Sequence, residues 1–265
     1  MVGAGPALWW DGRPRGRPRS ERRAVVSAST DIQRALVVMA HPDDVDFGCA
    51  GTVAVWTRAG VEVTYLLVTA GEAGGDTRTL DSDAMAELRR AEQRKAAAAV
   101  GVDDVRFLTG YADGRVVPSL ELRRDIARVI RQVRPDRVLI PSPERDWKRI
   151  PPSHPDHLAT GEAAINAVYP DARNPHAHPE LLRDEGLEPW TVPEVWLVHG
   201  PDCDVYVDIT DVFDRKMAAL ACHASQIEDP DSLADALRPW LTANAEAGGL
   251  PEGRLAESFQ TVDTR

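Results

Sequence analysis

The sequence predicts an α/β fold with a Rossmann-like, mostly parallel sheet, helices on both faces and a C-terminal α+β extension. Short apolar runs alternate with longer segments of helical periodicity, which is the pattern of repeated strand and helix units. The apolar runs are nearly continuous, as expected for strands buried on both faces of a parallel sheet. Gly60 and Gly101 close two helical segments, because a glycine with positive φ ends many helices.

Each element follows from these signals in chain order. The run ALVVMA at 35–40 predicts the first strand, and the β-branched run VEVTYLLVT at 61–69 predicts the second. The alanine-rich segment at 84–100, with charges on its other side, predicts a helix. The expected strands are 35–40, 61–69, 104–109, 136–142, 194–200, 205–210 and 256–262, and the expected helices are 49–60, 84–100, 120–133, 157–168, 211–226 and 232–247.

Residues 1–30 differ in composition from the rest of the chain. They contain six arginines interspersed with Gly, Pro and Ser, and they show no apolar periodicity. Such a segment cannot bury enough apolar surface to fold alone. We therefore expect a disordered leader over residues 1–30 and a single domain over residues 31–265.

Charge and cysteine content limit the functional classes. The net charge of −11 disfavours nucleic acid and anionic membranes as partners. No apolar run approaches the roughly 20 residues that a membrane-spanning helix needs. Three cysteines without a CxxC pair disfavour a disulfide framework and favour a reducing compartment. We expect a cytoplasmic protein, and a homo-oligomer is compatible with the sequence.

Two similar tetrapeptides carry residues suited to catalysis. HPDD at 41–44 follows the first predicted strand and HPDH at 154–157 follows the fourth, so both lie at the carboxyl edge of the sheet. Two imidazoles and one carboxylate form a catalytic zinc set that leaves a fourth position for water. Zinc lowers the pKa of that water to about 7, and a second carboxylate nearby can accept its proton. These motifs therefore predict metal-assisted hydrolysis.

The motifs of three rival classes are absent from the sequence. No GxGxxG follows the first strand and no GxxxxGK[ST] occurs, which weakens dinucleotide-binding and P-loop functions. GxSxG is absent too, which weakens a serine hydrolase. A metal phosphoesterase stays open, although such enzymes often use two metal ions and the motifs supply ligands for one.

Together these motifs resemble the LmbE/PIG-L family over roughly residues 34–262. That family includes deacetylases of mycothiol and bacillithiol synthesis and deacetylases of glycopeptide antibiotics. The resemblance implies an LmbE/PIG-L-like fold and a zinc-dependent hydrolase that removes the acetyl group from an N-acetylglucosamine-type conjugate, a small-molecule partner. Further matching segments are TxGExG at 69–74, RRAEQ at 89–93, GYADG at 110–114 and HASQ at 223–226.

The resemblance also implies the metal ligands and the base. His41, Asp44 and His157 match the ligands of one Zn²⁺ per chain. Asp43 matches the general base that takes the proton of the attacking water.

Five further residues match supporting positions of the family. His154 matches the residue that stabilises the oxyanion or protonates the leaving amine, and Asp156 matches its orienting partner, or instead that of a zinc ligand. Arg89 and Asp113 match positions where relatives contact the sugar, and Glu72 is a weaker candidate of the same kind.

The chain departs from the family pattern at one place, and two other functions stay open. Many relatives have Glu directly after the two aspartates or one position later, whereas this chain has Val45 and then the shorter Asp46. His223, within a predicted helix, is expected to be a packed structural histidine. The alternatives are an amidase of a mycothiol-type conjugate and a sugar-binding protein without activity.

Overall fold

Strands and helices alternate in the computed structural model, which describes residues 24–26, 32–75, 80–227 and 229–265. No helix in this described part is long and apolar enough to cross a membrane. The strands are β1 (Ala24–Val26), β2 (Arg34–Met39), β3 (Glu62–Leu67), β4 (Asp104–Phe107), β5 (Arg137–Pro141), β6 (Glu194–Val198), β7 (Val205–Asp208) and β8 (Ala256–Asp263). The helices are α1 (Asp44–Gly48), α2 (Ala50–Arg58), α3 (Ser82–Ala99), α4 (Leu120–Val133), α5 (Pro155–Asn166), α6 (Pro179–Arg183), α7 (Phe213–Leu220) and α8 (Pro230–Ala247).

The described strands form one sheet in the order β1-β7-β8-β6-β5-β2-β3-β4. Only β8 among them runs antiparallel, against β6 and β7, and the other neighbouring pairs are parallel. β2 pairs with β3 on one side and with β5 on the other, so the strand order reverses there. Ligands of such sheets bind at the carboxyl ends of the strands beside this reversal. The predicted α/β sheet is confirmed, and the C-terminal α+β segment completes it.

Apolar side chains fill a layer on each face of the sheet. Val37 and Val38 of β2 belong to different layers, because successive strand residues point to opposite faces. Leu122, Ile126 and Ile130 of α4 are fully buried in the second layer. Their spacing of four residues places them on one side of the helix, which the sequence pattern anticipates.

The helices depart from the predicted ones in three places. The expected helix at 49–60 corresponds to α2, and the short helix α1 that precedes it is not predicted; Cys49, whose φ of −150° lies outside the helical region, separates the two. The expected helix at 211–226 ends at Leu220, so His223 lies in the turn that follows. The short helix α6, with Pro179 at its first position, is not predicted.

The expected disordered leader needs a correction. Residues 24–26 form β1 and pair in parallel with β7, from Ala24 opposite Val205 to Val26 opposite Val207. A three-residue strand has no periodicity of its own, so only its backbone pairing with a distant strand reveals it. The remaining parts of the expected leader, residues 1–23 and 27–30, lie outside the described residues, and the start of the domain stays a prediction.

Candidate metal centre and active site

The two histidine motifs meet at the carboxyl edge of the sheet. HPDD (41–44) joins β2 to α1, and HPDH (154–157) begins α5. The ring centroids of His41 and His154 lie 5.1 Å apart, and those of His41 and His157 lie 5.3 Å apart. Three imidazoles from two separate loops therefore face one small volume.

Asp44 lies between two of these imidazoles. Its Oδ1 is 3.0 Å from Nε2 of His157, and its Oδ2 is 3.4 Å from Nδ1 of His41. Nitrogen and oxygen ligands about 2.0–2.1 Å from a tetrahedral zinc lie roughly 3.3 Å from each other. Each of the two Asp44 contacts therefore has a length that fits a pair of zinc ligands as well as a hydrogen bond.

In His41 and His157, the ring nitrogen that does not contact Asp44, here called the outer nitrogen, faces a hydrogen-bond acceptor. Nδ1 of His157 lies 3.1 Å from the carbonyl oxygen of Pro152, so Nδ1 carries the proton and Nε2 can bind a cation. Nε2 of His41 lies 2.9 Å from Oδ1 of Asp113 and 3.2 Å from Oδ2 of Asp156. Such outer contacts orient a histidine ligand and raise its basicity.

Two groups in the described part of the chain, neither of them the predicted set, hold three ligand atoms that all lie within 4.8 Å of one another. One is His41, His154 and His157, and the other is His41, Asp113 and Asp156. The two carboxylates of the second group already accept hydrogen bonds from backbone N–H groups, which leaves them fewer lone pairs for a cation. Neither group includes Asp44, the predicted carboxylate ligand. Measuring the metal content of variants distinguishes these two groups from the predicted set of His41, Asp44 and His157.

The charges in the site follow from these contacts. Burial would lower the pKa of His41, but hydrogen bonds to Asp113 and Asp156 raise it to about 12. Burial would raise the pKa of Asp44, but the neighbouring His157 holds that pKa well below its usual range. His41 is therefore a cation when no metal is bound, and a metal ion would take the place of its Nδ1 proton.

Asp43 combines a constrained backbone with a carboxylate that faces the site. Its φ of 82° lies in the left-handed region, which is unfavourable for a residue with a side chain. Its backbone N–H donates to Oε1 of Gln93 at 2.8 Å, and its Oδ2 accepts a hydrogen bond from Nη2 of Arg89 at 3.0 Å. Burial, reinforced by the Asp44 carboxylate, raises the pKa of Asp43 to about 7. A carboxylate with this pKa is suited to proton transfer near neutral pH.

A cleft of about 330 Å³ opens over these groups, and Asp43, His154 and His157 line it. Nδ1 of His154 accepts the backbone N–H of Asp156 at 3.2 Å, which leaves Nε2 for the cleft. Burial lowers the pKa of His154, so its imidazole is neutral at neutral pH and Nε2 carries the proton. The cleft thus combines a proton acceptor with a neutral hydrogen-bond donor.

Sequence comparison identifies a family for this site. The family PIG-L, described as GlcNAc-PI de-N-acetylase, matches residues 36–168, a span that includes both histidine motifs. The chain belongs to the PIG-L family. The resemblance inferred from its motifs is therefore confirmed.

Individual PIG-L relatives cover most of the chain. Diacetylchitobiose deacetylase of Thermococcus kodakarensis is 30% identical over 233 residues, covering 88% of this chain and 84% of that protein. The probable N-acetyl-alpha-D-glucosaminyl L-malate deacetylase 2 of Bacillus cereus is 31% identical and covers 74% of this chain and 84% of that protein. The solved structure of N,N'-diacetylchitobiose deacetylase from Pyrococcus horikoshii has a TM-score of 0.80 and 31% identity, covering 88% of this chain and 85% of that chain. All three are named as deacetylases.

Arg89, which the resemblance implies as a sugar contact, is buried and hydrogen-bonded to protein groups. It is 4% exposed. Nη1 donates to the carbonyl oxygen of Gly71 at 2.7 Å, and Nη2 donates to that of Pro42 at 2.8 Å as well as to Asp43. Gly71 has a φ of 70°, and a Cβ at this position would collide with the guanidinium. Arg89 therefore fastens the loop after β3 to the loop that carries Asp43.

The other supporting residues also contact each other. Oε1 of Glu72 accepts the backbone N–H of Asp113 at 2.8 Å, and Glu72 is not part of the cleft lining, whereas Asp113 is. The Asp156 carboxylate contacts His41 at 3.2 Å, whereas the hydrogen bond between Asp156 and His154 is donated by the Asp156 backbone N–H. Of the two orienting roles considered for Asp156, contact with a predicted metal ligand is therefore the one that its geometry fits.

A buried network behind Asp43 escaped the sequence analysis. Oδ2 of Asp46 accepts hydrogen bonds from Nε2 of Gln93 at 2.9 Å and from Nε2 of His223 at 2.8 Å. The side chains of Asp46 and His223 are fully buried. One signal could have pointed to Gln93: it lies four residues after Arg89, so both side chains project from the same face of α3.

Proposed function

We propose that this chain is a zinc-dependent amide hydrolase that removes the N-acetyl group from an N-acetylglucosamine-type amino sugar conjugate. The observation that carries the proposal is a His–Asp–His set next to a separate carboxylate with a raised pKa, Asp43. The two histidines of this set and Asp43 line one cleft. The family and the named deacetylases among its members support the same activity. The partner is accordingly a small N-acetylated sugar.

One zinc ion per chain would be held by His41, Asp44 and His157. The contacts to Asp113 and Pro152 on the outer nitrogens of the two imidazoles favour this assignment, because they leave the inner nitrogens as ligands. When bound, zinc acts as a Lewis acid that polarises a carbonyl and makes water more acidic.

The remaining side chains would move the protons. Asp43 accepts a proton from the attacking water, whose oxygen forms a bond to the carbonyl carbon. The neutral His154 donates a hydrogen bond through Nε2 to the oxygen that gains negative charge. Asp43 then returns the proton to the nitrogen as the C–N bond breaks, and the products are acetate and a free amine. Asp156 acts on this chemistry through its contact with His41.

Sugar recognition would involve Asp113 directly and the two other candidates indirectly. Asp113 and Arg89 both line the cleft. The Asp113 carboxylate is placed to accept hydrogen bonds from sugar hydroxyls, whereas Nη1 and Nη2 of Arg89 already donate to protein groups. Arg89 would contribute by holding Asp43, and Glu72 by holding the loop of Asp113. Loss of Asp113 should therefore raise KM, whereas loss of Arg89 should lower kcat.

A screen of substrates tests the proposal. Zinc-loaded protein is incubated with N-acetylglucosamine, its inositol conjugate, its malate conjugate and a glycopeptide pseudoaglycone, and acetate release is measured. Release from at least one substrate, lost in Asp43→Asn, is the expected result. Cleavage of a mycothiol-type conjugate without acetate release would favour the amidase, and sugar binding without turnover would favour a binding protein.

We also propose a cytoplasmic location. Cys49, Cys203 and Cys222 are all free thiols in the structure. This supports a reducing compartment, in which thiols persist.

A further inference from the structure

We propose that a second, apolar cavity beside the catalytic cleft binds the acyl chain of the substrate, so that the enzyme hydrolyses N-acyl amino sugars with chains longer than acetyl. This inference rests on the proposed amide hydrolysis and extends it to the acyl side of the bond. The cavity has a volume of about 250 Å³ and lies beneath α8, at the carboxyl ends of β2, β5 and β6.

Apolar side chains form most of the cavity wall. Met39 and Val198, at the ends of β2 and β6, are 2% exposed. The rest of the apolar lining consists of Phe47 from α1, Leu237 and Trp240 from α8, and three prolines, Pro141, Pro151 and Pro152. Such a wall favours groups that gain by leaving water and offers few hydrogen-bond partners to sugar hydroxyls. Its occupant should therefore be apolar.

The cavity and the cleft share lining residues beside the proposed metal set. His157 and Pro151 line both spaces, whereas His41 and Asp43 line the cleft alone and Asp44 lines the cavity alone. An amide attacked beside these shared residues would have the polar space on one side and the apolar space on the other.

The proposed proton path decides which part of the amide enters which space. Asp43 must reach the departing nitrogen, and Asp43 lines the cleft. The amine and its sugar therefore lie in the cleft, where Asp113 offers a carboxylate to the hydroxyls. The acyl substituent leaves the carbonyl carbon on the side away from nitrogen, which directs it toward the cavity. A methyl group would fill only a small part of about 250 Å³, so several methylenes have room.

The polar groups of the wall are compatible with an apolar chain. The ring of His199 lies 5.9 Å from that of Trp240, and burial lowers the pKa of His199 to about 4, so its imidazole is uncharged at neutral pH. Arg149 is exposed, and its guanidinium lies 5.9 Å from the centroid of Trp240. Its charge can therefore stay in water.

Kinetics on N-acetyl-, N-butyryl- and N-hexanoylglucosamine test the proposal. Each methylene moved from water into an apolar site strengthens binding about fourfold. We expect KM for N-butyrylglucosamine to be about 15-fold below that for N-acetylglucosamine, since two methylenes are added. Leu237→Trp fills the cavity and should abolish this preference. Ala236→Trp, at an exposed position of α8 outside the lining, should keep it.

Binding of the carboxylate products gives a readout without turnover. Calorimetry on the zinc-loaded protein should show butyrate binding about 15-fold more tightly than acetate, with the difference lost in Leu237→Trp. Melting temperatures check that both tryptophan variants are folded. If Leu237→Trp does not fold, the comparison of butyrate with acetate in the wild type decides whether the cavity binds the acyl chain.

Three results would overturn the proposal in distinguishable ways. If acetyl sugars are hydrolysed but longer acyl groups lower kcat/KM equally in the wild type and Leu237→Trp, the cavity is not the acyl site. If octyl N-acetylglucosaminide, rather than longer acyl groups, gains affinity that Leu237→Trp removes, the occupant is the aglycone. If no N-acyl sugar is hydrolysed at all, the proposed function itself fails.

Discussion

Oε1 of Gln93 accepts a 2.8 Å hydrogen bond from the backbone N–H of Asp43. The Gln93 amide also donates to Asp46 at 2.9 Å, and Asp46 pairs with His223 at 2.8 Å. The left-handed backbone of Asp43 is a conformation that persists only where the surroundings hold it. A chain of hydrogen-bonded polar groups thus fixes the backbone position of Asp43, the proposed base.

The role of the Gln93 amide can be tested by exchanging the donor and the acceptor of its hydrogen bond with Asp46. Gln93→Glu places two carboxylates in contact and should lower kcat by up to about 10²-fold through misplacement of Asp43. Adding Asp46→Asn restores a donor between the two side chains, so the double variant should recover most of kcat. KM and zinc content should change little in both. Equal losses of kcat in the single and double variants would contradict this role.

The identity of the metal ligands can be read from zinc content. The wild type should bind about one zinc per chain, as three-ligand catalytic sites do. His157→Ala should lose the metal, whereas His154→Ala should keep it and lose activity. If His154→Ala also loses zinc, the three-histidine group is the site. If Asp113→Asn loses zinc while His157→Ala keeps it, the site is the group of His41 with two carboxylates.

Local sequence signals predicted the parts of the structure that depend on short-range patterns. The strand before HPDD (41–44) and the edge position of both histidine motifs follow from apolar periodicity and from the rules of parallel sheets. The antiparallel placement of β8 between β6 and β7 cannot be predicted from such local signals, because it depends on contacts between residues distant in sequence. The same holds for the pair of Asp46 and His223, which lie 177 residues apart in the chain. Arg89 was singled out as a sugar contact, which stays a prediction, and its buried contacts to three loop groups are visible only in the folded chain.

Strand β1 gives a test of the N-terminal boundary. Deletion of residues 1–22 leaves β1 intact and should not change the melting temperature. Deletion of residues 1–31 exposes the backbone edge of β7 and should lower the free energy of unfolding by about 1–3 kcal/mol, the net value of a few hydrogen bonds. A thermal melt of the two truncated proteins measures the difference, and both should keep their activity. A loss with the shorter deletion would show that residues before β1 contribute to stability.

Lys216 and Glu257 form a fully buried ion pair at 2.7 Å. Lys216 also donates to the carbonyl oxygens of Asp46 and Phe47 at 2.8 Å, so it ties α1 to β8. Lys216→Met should lower the free energy of unfolding by about 3–5 kcal/mol, because it leaves the Glu257 charge buried without its partner. Lys216→Met with Glu257→Gln should recover part of this loss. Denaturant unfolding of both variants provides the measurement, and identical losses would show that the charge is not the cause.

The division of roles between Asp43 and Asp44 makes the most specific prediction. Asp44 contacts both predicted imidazole ligands, whereas the Asp43 carboxylate contacts Arg89 and faces the cleft. A carboxylate held on a metal ion has lost much of its basicity, so the separate one must take the proton of water. Asp43→Asn keeps the shape of the side chain but cannot accept that proton.

Asp43→Asn should therefore retain zinc and lose about 10²–10⁴-fold in kcat, the usual contribution of a positioned general base. KM should change less, because the proton moves in the transition state and not on binding. Asp44→Asn should instead weaken zinc affinity and lose activity together. Zinc content and turnover are measured on both variants side by side. If Asp43→Asn loses zinc and Asp44→Asn keeps it, the two roles are exchanged, and if Asp43→Asn stays nearly fully active, the base lies elsewhere in the cleft.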